Sequence, residues 1–180
     1  NFIGDWGMSF AKIMLAYRRW GNEQEFAKDP IRHLLQLYVR VTEEIAKDAA
    51  LEDEARGLFL KLAAGDAELR ALWERFCAVS MADFKRVYAT LGITFDIWNG
   101  ESFYEQFIPA VIDEALAKGA ATQAEGWPVL VDFNDPKVPP FLLRKSDGAS
   151  LYGARDLAVA KWRLEKYPQA EKIVYVVGHE

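Results

Sequence analysis

The chain has 180 residues, a formal net charge of −5, a single cysteine, and 51% hydrophobic and 13% aromatic residues. That apolar share excludes intrinsic disorder, and the length suits one domain or one and a half. Cys77 alone excludes an internal disulfide, the acidic balance argues against broad electrostatic capture of nucleic acid, and no apolar run reaches the roughly 18 residues of a membrane helix.

The chain opens on Asn1, with Gly4-Asp5-Trp6-Gly7 close behind. It stops just after the apolar run Ile173-Val174-Tyr175-Val176-Val177. Both ends read as cut from a longer protein. Phe10, Ile13, Met14, Tyr17 and Trp20 recur at helical spacing, predicting a helix over 8–20 that stops at Gly21. Asp29-Pro30 starts the next helix, with Pro30 at its first position and Leu34, Leu37, Tyr38, Val41 and Ile45 as its stripe. Residues 52–64 continue the helical pattern to Gly65. Asp66 then caps a long helix over about 67–91. Leu69, Leu72, Trp73, Phe76, Val79, Phe84, Val87, Tyr88 and Leu91 are expected on its inner side.

Residues 93–98 read as extended and Asn99-Gly100 as a turn. A helix is expected over about 103–118, ending at Gly119. The runs 127–133 and 141–144 read as strands, Ser146-Asp147-Gly148 as a turn, 152–166 as a helix and 172–177 as a strand. A mostly helical first two-thirds followed by strand, strand, helix, strand is the order that a helical insertion within an α/β domain gives.

Tyr152 and Asp156 are four apart on a predicted helix, so both side chains share one face. A carboxylate takes a guanidinium through two parallel hydrogen bonds, and a phenol beside it adds one more. That geometry separates arginine from lysine, whose ammonium has no fork. The alternative is ordinary: a surface Asp near a helix start and a half-buried Tyr. Glu101 follows the Asn99-Gly100 turn, where a first-turn acid also suits the helix dipole. Asp5 and Trp6 sit in a Gly-x-x-Gly turn, where Asp5 can cap the helix starting near Met8 while Trp6 packs. Arg144, Lys145 and Arg155 cluster near the 143–156 turn and could meet phosphate. Cys77 reads as a small core residue. Two histidines and one cysteine, far apart, make no metal-ligand set.

Four stretches read together resemble arginyl-tRNA synthetases, which are class I synthetases. They are Gly4-Asp5-Trp6-Gly7; Phe95-Asp96-Ile97-Trp98-Asn99-Gly100-Glu101-Ser102-Phe103-Tyr104; Leu143-Arg144-Lys145-Ser146-Asp147-Gly148 with Leu151-Tyr152-Gly153-Ala154-Arg155-Asp156-Leu157-Ala158; and Tyr175-Val176-Val177-Gly178-His179-Glu180. The resemblance implies a partial class I nucleotide-binding (Rossmann-like) α/β fold with a large, mostly helical insertion. On that template the insertion covers about 5–125, a β-rich segment about 126–150, and about 151–180 return to the second half of the α/β fold.

The resemblance also implies the chemistry. The parent would activate L-arginine with ATP and magnesium, then transfer it to the terminal adenosine of its tRNA in the cytoplasm. Neither a membrane nor DNA is expected as a partner. Tyr152 and Asp156 are the positions that bind the substrate guanidinium in that family, and Glu101 supplies a second substrate-facing carboxylate. Asp5 and Trp6 are weaker candidates for a site wall. His179 and Glu180 lie about where the family contacts the substrate backbone. The family's His-x-Gly-His and Lys-Met-Ser-Lys-type motifs, which handle ATP, are not found in this sequence, so the chain alone is expected to be inactive, with no bound metal or prosthetic group. Ser9 and Ala11 depart from the family's usual Gln and Gly, which leaves ligand contacts there in doubt. Two rivals remain: a stand-alone, non-catalytic binding module, and an arginine or guanidinium sensor that uses the same pocket without ligation.

Overall fold

Asp29, Pro30 and Asp66 set the starts of the two longest helices. The Asp29 carboxylate accepts the Arg32 N–H at 3.1 Å, and Pro30 fills the first position of Pro30–Lys47, where a missing N–H costs nothing. Asp66 accepts the Leu69 N–H at 3.0 Å and opens Ala67–Thr90. Each cap contributes about 1 kcal/mol.

The computed structural model describes residues 1–146, 150–176 and 178. It divides into two compact units, Asn1–Gly100 and Glu101–Glu180. The first unit runs β1 (Phe2–Ile3), α1 (Met8–Trp20), α2 (Glu23–Lys28), α3 (Pro30–Lys47), α4 (Ala50–Ala63), α5 (Ala67–Thr90) and β2 (Asn99–Gly100). β1 and β2 pair in parallel, Phe2 opposite Asn99 and Ile3 opposite Gly100. A parallel pair needs a crossover connection, and here five helices lie between the two strands. Asn99-Gly100, expected as a turn, is therefore a strand. A two-residue strand carries no periodicity to betray it.

The helical core of this unit gathers Met14 and Leu15 of α1, Leu37 and Val41 of α3, Leu58 and Leu62 of α4, and Leu69 and Phe76 of α5. Burying each such side chain stabilises by about 1.5–3 kcal/mol. α2 was not expected from the sequence. Asn22 caps it by accepting the Gln24 and Glu25 N–H groups, and the Asn22 N–H donates to the buried His33 imidazole at 3.1 Å. The inner side expected for the far half of α5 is a correction. Phe84 and Val87 are both 41% exposed and Leu91 is 63% exposed. Helical spacing fixes which residues share a face, not what covers that face.

The second unit runs α6 (Glu101–Tyr104), a 3₁₀ turn (Glu105–Phe107), α7 (Ile108–Ala117), β3 (Val129–Val131), β4 (Phe141–Arg144) and α8 (Tyr152–Lys166). The single helix expected over 103–118 is broken because Pro109 lacks an N–H and clashes with the turn before it. β3 and β4 pair antiparallel with an irregularity between Val129 and Leu130; β4 has the expected bounds, and β3 is shorter than the 127–133 run. Ile108, Ile112, Val129, Leu143, Ala154 and Ala158 form the core. Glu114 of α7 pairs with Lys118 at 2.5 Å and with Lys161 of α8, and these two ammonium groups hold its carboxyl down to about 2. Residues 172–176, expected as most of a strand, form neither helix nor strand.

Candidate functional site

The start of α8 is fixed by the strand before it. The Leu151 N–H donates to the Leu143 carbonyl at 3.1 Å, and Ser150 bridges Arg144. A Cβ on Gly153 would stand 2.3 Å from the Phe141 ring, so β4 can lie on α8 only where α8 has no side chain. Gly153, Ala154, Ala158 and Val159 form the buried face of α8. Tyr152 and Asp156 stand on the exposed face, one turn apart, with Tyr152 61% exposed. Both side chains are thus on the solvent side of a rigidly seated helix.

Arg155, next to Asp156, turns the other way. Its Nε donates to Glu105 Oε1 at 2.6 Å and its Nη1 to Glu101 Oε2 at 3.1 Å. The Arg155 side chain is 14% exposed, and those of Glu101 and Glu105 are 24% and 29% exposed. Glu101 begins α6 and Glu105 begins the 3₁₀ turn, so one cation ties both to α8. The same contact is reinforced by Trp162 of α8, whose ring meets Phe103 at 5.4 Å and the buried Tyr104 at 5.5 Å, both edge-on. Of the sequence candidates, Glu101 is thereby brought to α8 through Arg155. Arg155 itself, read as a phosphate contact, is engaged by two carboxylates. Glu105 was missed. Its signal was the four-residue spacing from Glu101, which stacks two like charges on one helical face unless a cation lies between them.

Asp5 and Trp6 belong to the first unit. Asp5 does not cap α1. The N-cap is Gly7, with no side-chain hydrogen bond and a φ of 115°, which side chains rarely adopt. The Asp5 carboxylate instead lies against Gly100, where an added Cβ would meet it at 2.0 Å, and its carbonyl accepts the Trp73 Nε1–H at 2.6 Å. Trp6 packs edge-on against Phe59 and Trp73, each with ring centroids 5.6 Å away. Asp5 also borders a largely apolar cavity of about 410 Å3 whose walls include Phe10, Ile13, Leu34, Phe76 and Cys77. Burial, with Asp5 and Glu74 nearby, pushes the Cys77 thiol up to about 12, the state of a packed residue and not of a nucleophile.

His179 and Glu180 lie outside the described residues. Arg144 donates to Gln123 at 3.2 Å. Among the described residues no group of three or more His, Cys, Asp or Glu is placed to hold a metal ion. No helix is long and apolar enough to cross a membrane among those residues.

The family model described as the catalytic domain of class I tRNA synthetases (R) matches residues 1–180. The arginine–tRNA ligases of Exiguobacterium sibiricum and Clostridium perfringens are 47% and 43% identical over the whole chain, which spans 32% of each relative's length. Among solved structures, the arginyl-tRNA synthetase of Plasmodium falciparum superposes with a TM-score of 0.69 at 25% identity, over 91% of this chain and 27% of that one. The Thermus thermophilus arginyl-tRNA synthetase superposes with a TM-score of 0.60 at 23% identity, over 91% and 28%, and supports the fold alone. The chain spans about a third of the length of the curated relatives it matches. Its helices and few strands make a partial class I α/β fold, and by its sequence match from end to end it belongs to the arginyl-tRNA synthetase catalytic-domain family of class I.

Proposed function

We propose that this chain supplies the arginine pocket of an arginine–tRNA ligase. The observation that carries the reading is the Tyr152/Asp156 pair, one turn apart on the exposed face of α8. The Asp156 carboxylate takes the substrate guanidinium through two parallel hydrogen bonds, and the Tyr152 hydroxyl meets a third N–H. Glu101, held from α8 by Arg155, presents a second carboxylate. A guanidinium has five N–H donors, and a single carboxylate leaves most of them unmet. Lysine, with a compact ammonium, cannot match the fork.

In the full-length protein the arginine carboxylate attacks the α-phosphate of ATP, forming arginyl-adenylate and releasing pyrophosphate. The 2′-hydroxyl of the terminal adenosine of tRNA then takes the arginyl group and releases AMP. Magnesium supplies charge neutralisation on the phosphates. The residues of this chain hold the side chain of the substrate so that its carboxylate is correctly placed, which is catalysis by positioning. On this reading the about 5–125 helices are an insertion in the α/β fold, the about 126–150 strands a β-rich segment, and the protein works in the cytoplasm. The test is Asp156→Asn in the full-length protein. A kcat/KM for arginine equal to that of the unaltered protein overturns the assignment.

A further inference from the structure

We propose that Arg155 is a positioning residue for arginine selection. It acts by holding Glu101, the second carboxylate proposed for the substrate, together with Glu105 against α8. The inference rests on the reading of α8 as the arginine pocket. Its separate support is the geometry inside the second unit.

Glu101 and Glu105 are four residues apart, so their carboxylates stack on one side of the α6 segment and repel each other. The Arg155 guanidinium relieves this from across the contact. One nitrogen reaches Glu105 at 2.6 Å and another reaches Glu101 at 3.1 Å. Two separate carboxylates are met by two fixed corners of one planar group, whereas a lysine ammonium would have to meet both from a single atom. All three side chains are less than a third exposed, so neither carboxylate can relax fully into water when the cation is lost. Trp162, Phe103 and Tyr104 hold the two segments close. Arg155 is the neighbour of Asp156, so the group that orients Glu101 and the group that meets substrate share one stretch of helix. The protein's own guanidinium thus fixes where the Glu101 carboxylate points.

The experiment is steady-state arginylation of tRNA by the full-length protein, with Arg155→Lys, Glu105→Gln and Asp156→Asn compared side by side. Arg155→Lys keeps the charge but loses the fork. It should raise the KM for arginine at least tenfold while leaving kcat and the KM for ATP within about threefold. Glu105→Gln, at a carboxylate with no substrate role, should raise the arginine KM by a smaller factor, about threefold, in the same selective way. An arginine KM within twofold of the unaltered protein in both variants overturns the proposal. So does an equal rise in the KM for ATP, which marks a general loss of structure. If Arg155→Lys lowers the melting temperature enough to deplete folded protein, Glu105→Gln carries the test. A large Asp156→Asn effect with both other variants unchanged sinks the positioning role alone. No Asp156→Asn effect sinks the pocket reading, and the positioning role with it.

Discussion

The carboxylate of Asp5 occupies the space that a side chain on residue 100 would need. All three of its outer atoms would come within 2.4 Å of a Cβ built on Gly100. Asp5 follows β1 and Gly100 ends β2, so the contact closes the parallel pair. Gly100→Ala must therefore push the carboxylate away or part the strands. Overpacking of this kind costs about 1–3 kcal/mol. We expect Gly100→Ala to lower the midpoint of chemical denaturation, and Asp5→Ala combined with Gly100→Ala to recover most of the loss. No recovery in the double variant means that the strain lies elsewhere.

Arg75 of α5 reaches back to α2 and takes Glu23 with both terminal nitrogens, at 2.9 and 2.5 Å, while its guanidinium lies 4.1 Å from the centre of the Phe26 ring. Tyr17 adds its hydroxyl to the same carboxylate. The Arg75 bond first, then the Tyr17 bond, hold the Glu23 carboxyl down to about 2. A depressed carboxyl contributes stability above its unfolded value of 4.5 and loses it as pH falls toward 2. The stability of the unaltered protein should thus fall between pH 4.5 and 2 more steeply than that of Glu23→Gln. Glu114 titrates in the same window in both proteins, so the difference between the curves isolates Glu23. Parallel curves would show that the pair is too solvated to matter.

Cys77 should resist modification. With its thiol pushed up to about 12, chiefly by burial, almost no thiolate exists near neutral pH. Iodoacetamide at pH 8 should label the folded protein slowly and the urea-unfolded protein at the rate of a free peptide thiol. Equal rates in both states would place Cys77 in contact with solvent.

Local signals were the readable ones. Asp29, Pro30 and Asp66 announce helix starts within three residues of themselves, and the structure uses all three in that way. The helix over 152–166 has the bounds expected of it, and Pro168 follows its end. α2 was missed although Asn22 followed by Glu25 is the pattern of a capped helix start, because six residues are too few to show a period. β1 and β2 were missed because their partners lie at opposite ends of the first unit. The Tyr152/Asp156 face followed from spacing alone. The Arg155 clasp did not, because it joins α8 to a segment some fifty residues away, and only the fold brings opposite charges together over such a separation.

The chain alone, spanning 32% of its relatives' length, should form no arginyl-adenylate. Arginine-dependent exchange of pyrophosphate into ATP, measured on the 180-residue chain with tRNA present, should stay at background. Exchange above background would show that phosphate-handling groups lie within these residues. On the proposed reading the chain binds arginine without catalysing the exchange.

The sharpest prediction concerns Asp156→Asn in the full-length protein. The substitution keeps the shape of the side chain and its place on the exposed face of α8, so the buried face of Gly153, Ala154, Ala158 and Val159 is untouched and the fold should hold. What is lost is the charge. One of the two parallel acceptors becomes a donor facing a group that only donates. Loss of a charge-assisted pair of this kind costs about 2–4 kcal/mol. In kcat/KM for arginine that is a fall on the order of 30- to 1,000-fold. Tyr152→Phe removes a single neutral hydrogen bond and should cost only about 0.5–1.5 kcal/mol. The ratio between the two variants is therefore the measurement. A fall in Asp156→Asn no larger than that in Tyr152→Phe would mean that the carboxylate faces water and the guanidinium binds elsewhere.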